Sequence, residues 1–353
     1  MGIAARSSVV TIPEQPPVGG SKPTEAPVLQ AKGLSLIWQD RLGETDAPTD
    51  DRQFFQTTTG GRVHEDPASN GFPGEPDRRL SFVTFEDRPC MKVTYHANKH
   101  GWLNYRAQYL PQRYREFGLC VDFKYPAGFD LTSTINGNIH GKTLFGLACG
   151  HPDHNKIGVP SSRSYTGEVA WPEDQWGAAL GINFKYWTTQ PNRVQLLWYP
   201  HVVGAYVNGA DRFRLDKYSN VNLITGYGDP GVVSVTTGVW HRLELYGRVD
   251  TNRRDGVLEM WIDGVLQKAL PNLDLGGWVG NRGLAARTVG NGSNGDGSLS
   301  AGTGQLVGSS GGGWRFSGIF IREMLGGWTG GSDLIPRYGG SYYAYNWRVY
   351  GKL

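Results

Sequence analysis

The segment GNIHGKTLFGLACG, residues 137–150, places Lys142 and Thr143 directly after Gly141. A lysine behind a glycine-spaced run can cradle phosphate, but that loop needs four residues between its glycines. It also needs a following helix whose N–H groups face the anion. Here three residues separate Gly137 from Gly141, and TLFGLACG reads as a strand. The phosphate loop is therefore rejected, and Lys142 becomes a cation on a sheet. Two later segments, ALGINFKYW (179–187) and RVQLLWYPHVVG (193–204), alternate with period two. Alternation puts Asn183, Lys185 and Trp187 on one face of the first, and Arg193, Gln195, Leu197, Tyr199 and His201 on one face of the second. If the two strands pair, these polar groups gather on a single sheet face. Such a set suits removal of a proton next to a carboxylate, which takes a donor to neutralise that carboxylate, a base, and an acid for the leaving oxygen. Lys142, Asn183 and Lys185 fit the first role, Tyr199 and His201 the other two, and Arg193 and Gln195 the holding of substrate. The bland alternative is a sugar-binding or merely solvated face of an antiparallel sheet.

Two other constellations carry less. Cys149, His151, Asp153 and His154 form CGHPDH with His140 nearby, but their spacing matches no zinc pattern, so no metal is expected. Glu244 and Glu259 fall on strands of suitable parity for a carboxylate pair, which hydrolysis needs about 5–10 Å apart. Neither sits in an E-x-D-x-E run, and two-carboxylate hydrolysis is not favoured. No cofactor is implied.

The elements that must position these residues are strands. LSFVTFEDRPCMKVTYHA (80–97) reads as two strands joined by a turn at Glu86-Asp87-Arg88-Pro89. Further strands are expected at 119–126, 240–249, 257–270, 316–325 and 342–351, with Asp263-Gly264 the strongest hairpin signal. Many short alternating segments between turns predict an all-β, two-sheet antiparallel sandwich of jelly-roll type. The expected body is residues 33–353, with long loops at 150–176 and 276–313. Residues 1–32, with five prolines among Gly, Ser and Thr, are expected to form an extended arm. The aromatic set Trp240, Trp261, Trp328, Tyr343, Tyr345 and Trp347 is expected mostly to pack the sandwich.

Composition agrees. The chain has 353 residues, 51 of them glycine, with 12% aromatic and 19% charged residues, which favours strands and turns over helices. A net charge of +3, without clustered Lys/Arg, argues against a nucleic-acid partner. No apolar run approaches the ~18 residues of a membrane span, and the first residues lack the apolar core of a signal peptide. Three widely spaced cysteines are read as buried small hydrophobes rather than a disulfide framework.

WHRLELYGRVDTNRRDGVLEMWIDGVLQKAL (240–270), FSGIFIREMLGGWTGGSD (316–333) and YYAYNWRVYG (342–351) resemble the concanavalin A-like jelly rolls of polysaccharide lyases. The likeness is chiefly to the alginate lyases of family 14 and, more distantly, the glucuronan lyases of family 20. The family's GFD turn matches Gly128-Phe129-Asp130, and its cleft lysine matches Lys142. Its Ser-x-Arg pair falls on Asn183 and Lys185, and its Tyr-x-Tyr pair on Leu197 and Tyr199. The resemblance implies a β-sandwich facing polysaccharide, with catalytic roles for Lys142, Tyr199 and His201 if the chain is a lyase. Lyases of this kind act outside the cell, whereas this chain suggests folding in a reducing cytoplasm. The reading drawn is a virion surface component, such as a bacteriophage decoration, fibre or tail protein. It would be made in the host cytoplasm, be present in many copies or as a homo-oligomer, and meet other virion subunits through its arm. The alternative is an extracellular polysaccharide lyase cleaving alginate or glucuronan by β-elimination.

Overall fold

The computed structural model describes residues 26–40, 63–65, 80–95, 97, 101–130, 139–150, 179–186, 192–201, 204–207, 210–213, 232–251, 255–275, 286–289, 299–304, 315–325 and 339–353. Residues 1–25 and 151–178 lie outside them, and with them most of the expected arm, the first long loop, and His151, Asp153 and His154. Trp187 and Trp328 also fall outside.

A short helix α1 (Pro27–Ala31) leads into β1 (Ser35–Gln39). Then come β2 (Val63–Glu65), β3 (Leu80–Phe85), β4 (Arg88–Tyr95), β5 (Gly101–Tyr114) and β6 (Glu116–Lys124). The middle of the chain gives β7 (Ile139–Gly150), β8 (Ala179–Tyr186), β9 (Arg193–His201), β10 (Gly204–Val207), β11 (Ala210–Phe213) and β12 (Val232–Thr236). The last third gives β13 (Trp240–Arg248), β14 (Gly256–Ile262), β15 (Val265–Asp274), β16 (Ala286–Val289), β17 (Leu299–Gly304), β18 (Arg315–Leu325) and β19 (Gly340–Lys352). Every pairing is antiparallel. A ten-stranded sheet runs β11-β10-β15-β14-β13-β6-β19-β4-β3, with β1 also on β19, and a seven-stranded sheet runs β12-β9-β8-β7-β18-β5-β2. This is the expected two-sheet antiparallel jelly-roll sandwich.

Two expectations shift. The stretch 276–313 is not all loop, since β16 and β17 pair within it. The expected arm is not extended to residue 32, because Ala26–Lys32 is built around α1. Proline is tolerated in a first helical turn, where its missing N–H has no partner to lose. Ala26 and Leu29 are fully buried there.

Turn chemistry sets the hairpins. Asp263 and Gly264 have φ of 52° and 79°, and Glu86 and Asp87 have φ of 50° and 59°. Two successive left-handed residues match the twist of paired strands. β14 alternates buried and half-buried along GVLEMWI, the period-two signature of one face on a core. The core lies between the sheets, where Leu119, Val121, Phe123, Leu243 and Met260 meet Leu147, Val194, Val235 and Ile319. Phe117 stacks on Phe316 across it, with centroids 5.7 Å apart. Gly247 must be glycine here, since a Cβ would come within 2.3 Å of Phe316 Cζ.

β6 and β13 are buried on both faces, so their outward polar residues need partners. Arg242 Nε and Nη2 donate to the two oxygens of Asp122 at 2.8 and 3.0 Å, and Asn346 Nδ2 adds a third bond at 2.8 Å. Burial alone would lower the Arg242 pKa, but the Asp122 carboxylate holds it above its ordinary value. Lys124 pairs with Glu86, whose other oxygen accepts Trp240 Nε1. Phe85 stacks on Tyr343 and Trp240 meets Tyr345 edge-on, and Trp347 is fully buried. Packing is thus the role of these aromatics, as expected. Cys90 and Cys120 are free and buried, each thiol pushed up to about 12 by burial.

Candidate functional site

The candidate residues of β7, β8 and β9 stand on three neighbouring strands of the seven-stranded sheet. Register decides which face each occupies, because residues directly opposite across a pair share a face. Leu147, Val194, Val233, Val235 and Ile319 are buried in the core, so positions of the other parity lie on the face turned away from it. His140 stands opposite Lys185, Asn183 opposite Leu197, Gly181 opposite Tyr199 and Ala179 opposite His201. All of these positions, with Lys142, share the outward face. On the same face at the β12 edge, Ser234 and Thr236 stand opposite Gln195 and Arg193, and Arg193, Ser234 and Thr236 are exposed.

The same register separates the candidates by distance. Continuing the β7–β8 pairing of His140 with Lys185 sets Lys142 opposite Asn183, about 5 Å apart. Tyr199 lies two strands from Lys142 and one step along, roughly 12 Å between backbones at usual strand spacings. His201 is a step further, roughly 17 Å from Lys142 by the same spacings, and Arg193 is displaced as far in the other direction. By the same spacings Lys185 lies roughly 8 Å from Lys142 and Gln195 as far from it as Tyr199. Lys142 and Asn183 are thus the closest pair, Lys185, Tyr199 and Gln195 surround it, and His201 and Arg193 stand at the ends.

The sheet also brings residues that the sequence reading did not single out. Arg322 on β18 stands opposite Leu144 and Tyr105, and Met324 opposite Lys142 and Trp102. Arg315 stands opposite Gly150 at the far end. Parity within FSGIFIREML already grouped Phe320, Arg322 and Met324, but nothing local said that β18 lies beside β7. Across the paired positions of this face, Lys142, Lys185, Arg193, Arg315 and Arg322 are basic, and no Asp or Glu occurs among the described residues. A cationic sheet face without a carboxylate attracts polyanions. Among the described residues its paired positions supply no acid pair of the kind hydrolysis uses.

The two carboxylates weighed for hydrolysis are elsewhere. Glu244 and Glu259 lie on the outer side of the ten-stranded sheet, beneath the α1 segment. Glu244 is 1% exposed and accepts the Leu29 N–H at 3.1 Å. Burial pushes its carboxyl above the usual range, against the hydrogen bond that favours its charge. Glu259 pairs with Lys32 at 2.7 Å and accepts Trp261 Nε1. They hold a structural segment in place, not a substrate cleft.

No family model and no curated protein matches the chain. Among solved structures it is similar to the PL-14 alginate lyase from Aplysia kurodai, at 11% identity and TM-score 0.49, over 90% of this chain and 100% of that one. It is also similar to the endo-β-1,4-glucuronan lyase from the fungus Trichoderma reesei, at 13% identity and TM-score 0.32, over 78% and 87% of the two chains. A third is the laminarinase catalytic domain from Thermotoga maritima, at 14% identity and TM-score 0.39, over 91% and 99%. Likeness at this level adds nothing to the sheets and register already described.

Proposed function

We propose that this chain binds an acidic polysaccharide across the outer face of its seven-stranded sheet and cleaves it there by β-elimination. The observation that carries the reading is the charge of that face, with five basic residues and no carboxylate at the paired positions among the described residues. A polyuronate presents one carboxylate per sugar and is the complementary ligand. Tyr105, Trp102 and Tyr199 share the face and suit contact with the apolar faces of pyranose rings.

In the reaction, Lys142 neutralises the carboxylate at C6 and Asn183 hydrogen-bonds it, which makes the C5 proton more acidic. A base removes that proton, the electron pair forms the C4–C5 double bond, and the glycosidic C4–O bond breaks. The departing oxygen takes a proton from an acid. The reading assigns proton transfer to Tyr199, with His201 one step further along its strand.

A second reading keeps binding without cleavage, as in a virion surface subunit that attaches to host polysaccharide. It is favoured by Leu197, which stands opposite Asn183 and offers no proton-transfer group beside the centre. One experiment separates the two. Alginate, polyglucuronate and a neutral β-glucan are incubated with the protein, followed by ultraviolet absorbance of the unsaturated product and by affinity electrophoresis. The lyase reading expects product from an acidic polymer, lost in Lys142→Ala and Tyr199→Phe. Retardation by acidic polymers without product supports binding alone. Retention of the neutral glucan only, or of nothing, overturns both.

A further inference from the structure

We propose that Arg322 and Tyr105 form a second uronate subsite beside the Lys142 centre, one that grips the carboxylate of a neighbouring sugar. The inference rests on the polyuronate reading and goes beyond it by assigning a site on β18 and β5. Arg322 stands directly opposite Tyr105 on one side and Leu144 on the other. Lys142 stands opposite Met324, so Arg322 is its diagonal neighbour, at about 7–8 Å by sheet geometry. The positions bordering Arg322 on this face are Leu144, Lys142, Gly146, Phe320, Met324, Tyr105, Trp102 and Ala107. None of these described positions is acidic. Glu323, its chain neighbour, has the opposite parity and stands opposite Thr143.

The two cations differ in kind. An ammonium is a point charge, whereas a guanidinium presents a planar fork that matches a carboxylate with two parallel hydrogen bonds. A fork one step from the reacting sugar, with an aromatic residue directly opposite it, has the chemistry for a sugar carrying both a carboxylate and an apolar ring face. Gly146 and Leu144 on the adjacent strand add no polar group to compete. Such a subsite makes affinity depend on chain length, because only an oligomer that reaches past the centre engages it.

The test is calorimetric titration of uronate oligosaccharides of increasing length into the full chain. Wild type is compared with Arg322→Ala, Arg322→Lys, Tyr105→Ala and Arg248→Ala. The last removes an equal charge from the other sheet, where Arg248 is exposed. Thermal midpoints check that each variant is folded. The expected result is a roughly ten-fold loss for long oligomers in Arg322→Ala, equivalent to about 1.4 kcal/mol. Arg322→Lys should recover part of it, Tyr105→Ala should lose several-fold, and the shortest bound oligomer should be nearly unaffected. The methyl-esterified oligomer should not distinguish Arg322→Ala from wild type. Unchanged binding of long oligomers by Arg322→Ala overturns the subsite and leaves the polyuronate reading standing. Equal losses for short and long oligomers, or the same loss in Arg248→Ala, also overturn it, because general charge would then suffice. If wild type binds no uronate oligomer, both the reading and the subsite fail.

Discussion

Leu29→Ala should release α1 from the ten-stranded sheet and uncover Cys120 while the sandwich stays folded. Leu29 is fully buried in a cluster with Ala26, Leu34, Cys120, Tyr246 and Tyr350. It fills the space above Gly118, where a Cβ would meet Leu29 Cδ2 at 2.5 Å. Truncating a buried leucine costs about 3 kcal/mol, within the usual range of 2–5. A five-residue helix at the start of the described chain can open locally, so the loss should fall on docking rather than on global stability. At 1.4 kcal/mol per decade, about 3 kcal/mol raises the open population roughly a hundred-fold. Cys120 is fully buried and its thiol is pushed up to about 12 by burial, so alkylation requires opening. The assay is iodoacetamide labelling followed by peptide mass spectrometry, with buried Cys90 on β4 as internal reference. Labelling of Cys120 should accelerate by about two orders of magnitude, limited by the opening equilibrium, while Cys90 stays protected. An unchanged Cys120 rate would refute the reasoning, as would Cys90 and Cys120 accelerating together.

Three further predictions concern the same sheet. Asp122→Ala leaves the Arg242 guanidinium buried without its carboxylate, and should cost about 3–5 kcal/mol in urea unfolding. Gly118→Ala crowds Leu29 and should weaken docking by about 1 kcal/mol, at the mild end of overpacking, read as faster Cys120 labelling with little change in the urea midpoint. Glu86 is held below the ordinary carboxylate value, first by its hydrogen bond from Lys124 and then, against desolvation, by Trp240. Its folded pKa being depressed, the contribution is present above 4.5 and is lost as pH falls through the lower folded value. Thermal midpoints of wild type and Glu86→Gln should therefore converge on acidification below 4.5, and a gap constant with pH would contradict the assignment.

Much of the sandwich was legible because strands and turns are local codes. Asp263-Gly264 gave its hairpin, since two successive left-handed residues depend on little beyond the residues themselves. The turn expected over Glu86-Asp87-Arg88-Pro89, by contrast, is confined to Glu86-Asp87, with Arg88 and Pro89 already in β4. The split of β8 and β9 into two faces follows from alternation alone, and their pairing follows from the tendency of sequential strands to lie side by side. Lys142 was identified as a sheet cation because its glycines lacked the spacing and the helix of a phosphate loop.

What alternation does not say is which face turns inward and which distant strand lies alongside. Arg322 reaches the neighbourhood of Lys142 only because β18 pairs with both β7 and β5, joining segments far apart in sequence. The irregular pairing of β5, with a register shift between Arg322 and Met324, breaks the period-two pattern that marks a strand. α1 was hidden for a related reason. A five-residue segment has little helical stability of its own; it is held because Leu29 fits over Gly118 and because Glu244, 215 positions away, accepts its N–H. Glu244 and Glu259 had the parity for a catalytic pair, yet the sheet placed them under that segment. The sequence by itself therefore determined the strands, the turns and the residues that share a face within each strand. Only the tertiary structure decided which faces meet, since pairing and burial are contacts between distant parts of the chain, and local residue patterns carry no record of their partners.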